Sequence, residues 1–307
     1  MSRNRRSLLI MGATLAASLT LAACGGGGGE AGQAQEGIVS VVASTNVYAD
    51  IAQAIGGGQV TVHSIISKAG ADPHGYEANA QDKLAVSKAQ IGIENGGGYD
   101  DFFAQLAKGQ LEAGQIINVS ELSGLDMGPG FNEHLWYSLP VMSKLADDLA
   151  VRFGAALPAQ ASAFTTRATE YKTKLHDLEA KLAQLKKTHA GTAVAITEPA
   201  PLYLLEQAGL VNETPEKFSE AIENGTDASA STVTGLKALL TGGTLAFLAY
   251  NEQTQSPQTE QLKTAAQAAG LPVVDFSETL PAETSYLDWM VGNVSSLEQA
   301  LASEAAK

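Results

Sequence analysis

The sequence predicts an α/β protein with two lobes of mostly parallel sheet, joined by one long helix that spans both lobes. Strand-like and helix-like runs alternate along most of the chain, which is the pattern of parallel sheets with helical crossovers. The strand-like runs are continuously apolar, as expected for sheets covered on both faces. From Pro158 to Lys187 the chain has no glycine and no further proline, which favours one uninterrupted helix.

The first half alternates predicted strands with predicted helices. The run IVSVVAS reads as a buried strand, and a glycine closes the helix that follows it. The predicted strands are 38–44, 59–66, 91–95 and 115–120, and the predicted helices are 46–57, 80–89 and 100–109. These elements define an N-terminal lobe at residues 38–157.

The long connecting helix is placed at residues 158–189. Its apolar residues recur at helical spacing, at Phe164, Leu175, Leu178, Leu182 and Leu185. Pro158 suits the first turn of a helix. About 30 residues at 1.5 Å each give a length of about 45 Å, which is enough to run along both lobes.

The second half returns to alternating strands and helices. The predicted strands are 192–196, 244–250 and 271–276, and the predicted helices are 201–209, 234–240, 256–270 and the C-terminal run. We place the C-terminal lobe at residues 190–307.

The N-terminus has the pattern of a secretory signal. Three arginines precede a short apolar run, as in the charged and hydrophobic regions of a signal peptide. The run ends in Leu-Ala-Ala-Cys, which resembles a bacterial lipobox with Cys24 as the lipidated residue. We therefore expect a signal peptide at residues 1–23 and a flexible glycine-rich tether at residues 24–37.

The charge of the chain excludes some partners. Removing residues 1–23 would remove three arginines and no acidic residue, which moves the formal charge from −14 to −17. Such a surface argues against nucleic acid and against charge-driven binding to anionic lipid. Cys24 is the only cysteine, so the chain can form no internal disulfide.

Two of the five histidines are candidates for a binding site. His74 lies in a loop after a predicted strand, and His134 lies between a glycine-rich loop and an amphipathic helix. Loops at strand ends are where α/β proteins bind ligands. The other three have ordinary positions, His63 within a strand and His176 and His189 on the long helix.

Two carboxylates occupy the matching positions in the second half. Glu198 follows the predicted strand 192–196, and Glu278 follows the predicted strand 271–276. Each could equally be a helix cap or an exposed turn residue. Asp275, three residues before Glu278, is an alternative for the last position.

The chain resembles the metal-binding lipoproteins of manganese and zinc ABC importers, which are also called TroA-like or adhesin-family solute-binding proteins. Five segments carry the resemblance in order: DPHGYE, NEHLWYSLP, ITEPAPLYLLEQAGL, YNEQTQSPQTEQL and VVDFSETLP. Carried across, the resemblance implies His74, His134, Glu198 and Glu278 as metal ligands. These are 60, 64 and 80 residues apart, so only the fold could bring them together.

The chain departs from the family pattern in two places. Glu278 stands where the family usually has aspartate. Asn132-Glu133 replaces the usual Asp-Pro before the second histidine, which suggests Glu133 as a partner that orients His134 rather than as a ligand.

The resemblance implies a function as well as a ligand set. One divalent ion, Mn²⁺ or Zn²⁺, would bind between the lobes and pass to an ABC-transporter permease in the cytoplasmic membrane. Glu198, where zinc-type members have a histidine, favours manganese, although zinc binds mixed nitrogen and oxygen sites more strongly. We expect a lipid-anchored monomer on the extracytoplasmic face of the cell membrane and no enzymatic activity.

Two alternatives stay open from the residues alone, a surface adhesin and a metallohydrolase using the same metal site. A hydrolase needs an open coordination position and a general base, for which Glu133 or Glu77 could serve. The motifs H-E-x-x-H, G-x-x-x-x-G-K-[ST] and G-x-S-x-G do not occur in the sequence.

Overall fold

A computed structural model describes residues 37–68, 73 and 75–304. The predicted signal peptide, Cys24, nearly all of the tether and His74 lie outside the described residues. Among the helices of the described ranges, none combines the length and the apolar character needed to cross a bilayer.

The first half begins with strand β1 and ends with helix α5, which precedes the connecting helix. Its elements are β1 (Val39–Thr45), α1 (Asn46–Gly56), β2 (Val60–Ile66), α2 (Ala80–Lys88), β3 (Ile91–Glu94), α3 (Asp101–Ala107), β4 (Ile116–Asn118), α4 (Val119–Ser123) and α5 (Leu139–Ala156). The four strands form one parallel sheet in the order β2-β1-β3-β4.

The second half begins with the connecting helix. Its elements are α6 (Ala161–His189), β5 (Ala193–Ile196), α7 (Leu202–Gln207), β6 (Val211–Asn212), α8 (Glu216–Glu223), α9 (Ala230–Thr241), β7 (Leu248–Asn251), α10 (Pro257–Ala268), β8 (Val273–Phe276) and α11 (Tyr286–Glu304). Its sheet is also parallel, in the order β6-β5-β7-β8.

Helix α6 joins the two halves through one apolar stripe. It packs against α1 and α5 of the first half and against α7 and α11 of the second half. Its buried residues are Phe164, Ala168, Tyr171, Leu175, Leu178, Leu182 and Leu185. They belong to a single core cluster with residues of both sheets, such as Val41 and Ile196. Each fully buried leucine contributes roughly 1.5–3 kcal/mol, so the stripe holds both halves to one helix.

Direct hydrogen bonds also connect the halves near the ends of the strands. The side chain of Asn46 accepts from the backbone N–H of Leu280 and donates to the carbonyl of Leu280, each over 2.9 Å. The Tyr137 hydroxyl donates to the carbonyl of Ser277 over 2.7 Å. These contacts fix the β8–α11 loop against the first half.

The predicted fold class is confirmed, with two parallel sheets and a helix of 29 residues between them. Several details of the prediction were wrong, and the helices α4 and α8 were missed. The strand predicted at 115–120 ends at Asn118, because the Asn118 side chain accepts from the N–H of Glu121 and caps α4. The two-residue strand β6 was missed, since it is too short to give a pattern. The lobe boundaries at 157, 189 and 190 stay a prediction.

Candidate metal-binding site

Three buried polar side chains meet at the carboxyl edge of the second sheet. Glu198 follows β5, Asn251 ends β7, and Glu278 follows β8. Because β5, β7 and β8 are parallel neighbours, their ends lie at the same edge. Each of the three residues is only 2% exposed.

One amide group links the two carboxylates. Nδ2 of Asn251 donates to Oε2 of Glu198 and, over 2.7 Å, to Oε1 of Glu278. The side-chain oxygen of Gln253 accepts from the backbone N–H groups of Glu278 and Thr279 and so orients the loop that carries Glu278. Two carboxylates are therefore held close together in a region shielded from water.

His134 approaches this edge from the first half and is fully buried. Its Nδ1 lies 2.7 Å from Oδ1 of Asn132, which also accepts from the His134 backbone N–H over 3.1 Å. Nδ2 of Asn132 donates to the carbonyl of Pro199 over 3.1 Å, which fixes the orientation of the amide. Nδ1 must then carry the hydrogen, and in a neutral imidazole Nε2 presents the lone pair that binds metals.

Tyr99 connects His134 to the second half. Its ring centroid lies 6.0 Å from that of His134 in an edge-on arrangement, and its hydroxyl lies near the carboxylate of Glu278. Burial raises the pKa of the Tyr99 hydroxyl well above its usual value, and the charge of Glu278 raises it further. The Tyr99 side chain thus lies near both the imidazole of His134 and the carboxylate of Glu278, and we describe these residues, with Glu198 and Asn251, as one cluster.

A further carboxylate, Glu223, lies against His134. Oε1 of Glu223 is 3.5 Å from Nε2 of His134. One ligand atom from each of Glu133, His134 and Glu223 lies within 4.8 Å of the other two. Asn132 contacts Nδ1 of His134 directly, which is the orienting role that the sequence suggested for Glu133.

The structure leaves the place of His74 open, because this residue lies outside the described ranges. The chain just after it is anchored. The Tyr76 hydroxyl donates to Oδ2 of Asp82 over 2.9 Å, and Asn79 and Asp82 form a capping box at the start of α2. The ligand role of His74 stays a prediction.

The residues that the sequence analysis did not favour as ligands lie apart from this cluster. Asp275 is an exposed residue of β8, and its Oδ1 is 3.7 Å from the ammonium of Lys263. His63 is exposed on β2, and His176 pairs with Glu179 on the surface of α6 over 2.8 Å. The last carboxylate of the cluster is thus Glu278 and not Asp275.

Three members of the cluster were missed by sequence reasoning. Asn251 lies within the segment YNEQTQSPQTEQL, which was matched to the family without a role for the asparagine. Tyr99 follows a glycine run and carries no ligand pattern. Glu223 lies at the end of a short helix, where an acid usually marks a solvated surface. Only the three-dimensional arrangement singles these residues out.

The donor types of the cluster suit a divalent cation. Imidazole nitrogen with several carboxylate oxygens is a set for borderline or hard ions such as Zn²⁺ and Mn²⁺. The buried carboxylates also favour a bound positive charge, because like charges at low dielectric repel each other strongly.

The comparisons with known proteins agree with this fold and name metal-binding proteins as relatives. The chain is 31% identical over 176 residues to the manganese-binding lipoprotein MntA of Bacillus subtilis, which covers 55% of this chain and 56% of that protein. The chain thus spans little more than half the length of this curated relative. The name of this relative describes metal binding and not catalysis, in agreement with the predicted absence of enzymatic activity.

Two solved structures share the fold over most of their length. The periplasmic zinc binding protein TroA from Treponema pallidum superposes with a TM-score of 0.72 at 22% identity, covering 86% of this chain and 99% of that chain. The SBP FpvC from Pseudomonas aeruginosa in complex with Mn²⁺ gives a TM-score of 0.70 at 20% identity, covering 87% and 99%. These likenesses confirm the two-lobe fold.

The family itself is identified by a match over nearly all of the described chain. The sequence model described as "Zinc-uptake complex component A periplasmic" matches residues 41–300. The match includes both sheets, the connecting helix and every residue of the cluster. It confirms the resemblance that the five sequence segments indicated. This chain belongs to the family of periplasmic A components of zinc-uptake complexes.

Proposed function

We propose that this protein is an extracytoplasmic solute-binding lipoprotein that captures one divalent transition-metal ion, Mn²⁺ or Zn²⁺, and delivers it to an ABC importer. The observation that carries the proposal is the pair of buried carboxylates, Glu198 and Glu278, held by one Asn251 amide. Family membership and the names of the relatives support the same function.

The ligand set that we propose is His74, His134, Glu198 and Glu278. His74 and His134 come from the first half of the chain, and the two glutamates come from the second. Burial of two carboxylates costs several kcal/mol per ion unless charge compensates it. A divalent cation coordinated by both would supply that compensation and would tie the two halves together.

The transport role sets where the protein works. Cys24, in the lipobox pattern, would carry the lipid that anchors the chain to the outer face of the cytoplasmic membrane. The partner would be the permease of an importer, which receives the ion. In this arrangement residues 38–157 and 190–307 act as the two lobes, and residues 158–189 act as the rigid connection between them.

The experiment that tests the function is metal analysis of protein purified without added metal. We expect about one equivalent of manganese or zinc, and a melting temperature that rises when either metal is added to stripped protein. Linkage gives a stabilisation of roughly 4 kcal/mol at a thousandfold excess over Kd. Stripped protein that neither takes up these metals nor gains stability from them would contradict the proposal.

A further inference from the structure

Glu223 faces the imidazole of His134 across the boundary between the two halves. It is the last residue of α8, and Phe218 and Ile222 anchor this helix in the core of the second half. Oε1 of Glu223 lies 3.5 Å from Nε2 of His134, with side-chain exposures of 16% and 0%. The nitrogen that meets Glu223 is thus the one that would bind a metal.

The chemistry of this contact points to a cation. Asn132 accepts from Nδ1–H of His134, so Nε2 of the neutral imidazole is an acceptor, and the carboxylate is an acceptor too. A cation bound between these two atoms would attract both of them. Two ligands of one ion, with bonds of about 2.1 Å at angles of about 90–110°, are about 3.0–3.4 Å apart. The observed separation needs only a small approach to reach that range.

A cavity leads to the same residue. It has a volume of about 610 Å³ and is lined by Gly75, by residues of the segment 222–227 and by residues 253–256. Gln253 also holds the loop that carries Glu278. One cavity therefore contacts both Glu223 and Gln253, the residue that positions Glu278.

The position of Glu223 within α8 is unfavourable for the helix alone. The carboxyl end of a helix carries partial negative charge, so an acid in the last turn costs a few tenths of a kcal/mol or more. Glu223 is that acid, and it lies beside Glu133 in the same cluster. A bound cation would offset both repulsions.

From these contacts we infer that Glu223 is a third carboxylate ligand of the captured ion and biases the site toward Mn²⁺ over Zn²⁺. The inference rests on the proposed function, because it assigns a role within the same site. Added to the ligand set proposed above, Glu223 would be the fifth donor.

The bias follows from coordination number and ligand type. Zinc in sites closed by protein ligands is almost always four-coordinate. Manganese is better suited to carboxylate ligands than zinc is, and zinc gains more from imidazole. A fifth donor that is a carboxylate therefore strengthens manganese binding more than zinc binding.

The test compares Glu223→Gln with Glu220→Gln, which makes the same charge change on an exposed turn of the same helix. Affinities for Mn²⁺ and Zn²⁺ are measured by competition with a chelator, and melting temperatures are measured in the metal-free state. We expect Glu223→Gln to lose about tenfold or more in Mn²⁺ affinity, equivalent to about 1.4 kcal/mol. Its Zn²⁺ affinity should fall by clearly less, and Glu220→Gln should match the wild type for both metals.

The possible outcomes separate this inference from the proposed function. If the wild type binds neither metal, the proposed function is wrong, and the inference about Glu223 is wrong as well. If the wild type binds and Glu223→Gln binds Mn²⁺ as tightly as Glu220→Gln, Glu223 is no ligand and the proposed function still stands. Equal losses for both metals would overturn the manganese bias. Glu223→Ala provides a second variant if the glutamine still coordinates through its amide oxygen.

Discussion

The two sheets have the same strand order but place different chemistry at their carboxyl edges. The first sheet runs β2-β1-β3-β4 and the second runs β6-β5-β7-β8, so β3 and β7 occupy equivalent positions. An asparagine lies at the end of each. Asn95 comes two residues after Ile93, the last residue of β3 paired to β1, and Asn251 comes two residues after Ala249, the last residue of β7 paired to β5.

The partners of these two asparagines differ in charge. Oδ1 of Asn95 accepts from the hydroxyl of Tyr48, and its Nδ2 donates to the carbonyls of Gly96 and Glu133 over 2.8 and 3.0 Å. These partners are neutral. Asn251 instead donates to the carboxylates of Glu198 and Glu278. The first edge is a closed structural network, whereas the second leaves two negative charges for a cation to compensate.

The largest effect is expected when one of the two carboxylates at the second edge is neutralised. We expect Glu278→Gln to weaken metal binding by about a hundredfold or more, since one of the two charges that offset a divalent ion is lost at low dielectric. Asp275→Asn is the matched control, because Asp275 is exposed and pairs with Lys263. Chelator competition with Mn²⁺ and Zn²⁺ measures both variants. A larger loss for Asp275→Asn would move the fourth ligand to that residue.

The two asparagines can be compared directly by truncating each of them. Asn95→Ala removes bonds between neutral groups and should lower the free energy of unfolding by about 1–3 kcal/mol, equally with and without metal. Asn251→Ala removes the donor shared by two carboxylates, so its loss should be larger without metal, when no cation offsets the repulsion. Denaturant unfolding with a chelator and with saturating Mn²⁺ measures both. Equal losses for Asn251→Ala in the two conditions would contradict the contrast.

The first edge does contain acids, and these should respond to protons rather than to metal. Burial raises the pKa of Glu94 to about 7, and the charge of Asp100 adds to this effect. The folded state thus holds the Glu94 proton more tightly than the unfolded chain does. Its stabilising contribution is complete below about pH 4.5 and is lost as the pH rises toward about 7.

Glu94→Gln removes this pH dependence and keeps an oxygen that can accept from Asn118, as Oε1 of Glu94 does over 2.8 Å. We expect the variant to gain about 1 kcal/mol over the wild type at pH 8 relative to pH 5, a figure reduced for solvent screening of this half-buried group. Glu121→Gln, at an exposed neighbour, is the control. Denaturant unfolding with a chelator at the two pH values gives the gain. A gain of the same size for Glu121→Gln would point to general surface charge.

The sequence predicted the alternation of elements, the connecting helix and the two carboxylates at strand ends, because these depend on local patterns. Local patterns placed Glu198 and Glu278 after strands, whereas their selection as ligands came from the family resemblance and stays a prediction. Asn251, Tyr99 and Glu223 could not be placed in the site. Their roles depend on how the two halves pack, and nothing in the local sequence distinguishes them from ordinary strand, loop and helix residues.

The smallest effect on metal binding is expected for substitutions of the histidines that lie outside both sheet edges. These variants serve as controls for His134→Ala. His63 and His176 are exposed, and His189 is the last residue of α6. His176→Ala removes only a surface pair with Glu179, and exposed substitutions of this kind change stability by about 0.5 kcal/mol or less. Each of the three alanine variants should keep the full metal-dependent rise in melting temperature, whereas His134→Ala should lose most of it.

This last set of variants tests whether the surroundings of a histidine, and not its imidazole alone, determine metal binding. All the histidines offer the same imidazole, so any difference between them must come from their surroundings. His134 has an amide that fixes its tautomer, a carboxylate facing Nε2 and full burial, whereas His63 and His176 are exposed on β2 and α6 and His189 ends α6. If His63→Ala, His176→Ala or His189→Ala abolished the rise while His134→Ala kept it, the ion would bind elsewhere. The contrast between the two sheet edges would then have no bearing on metal capture.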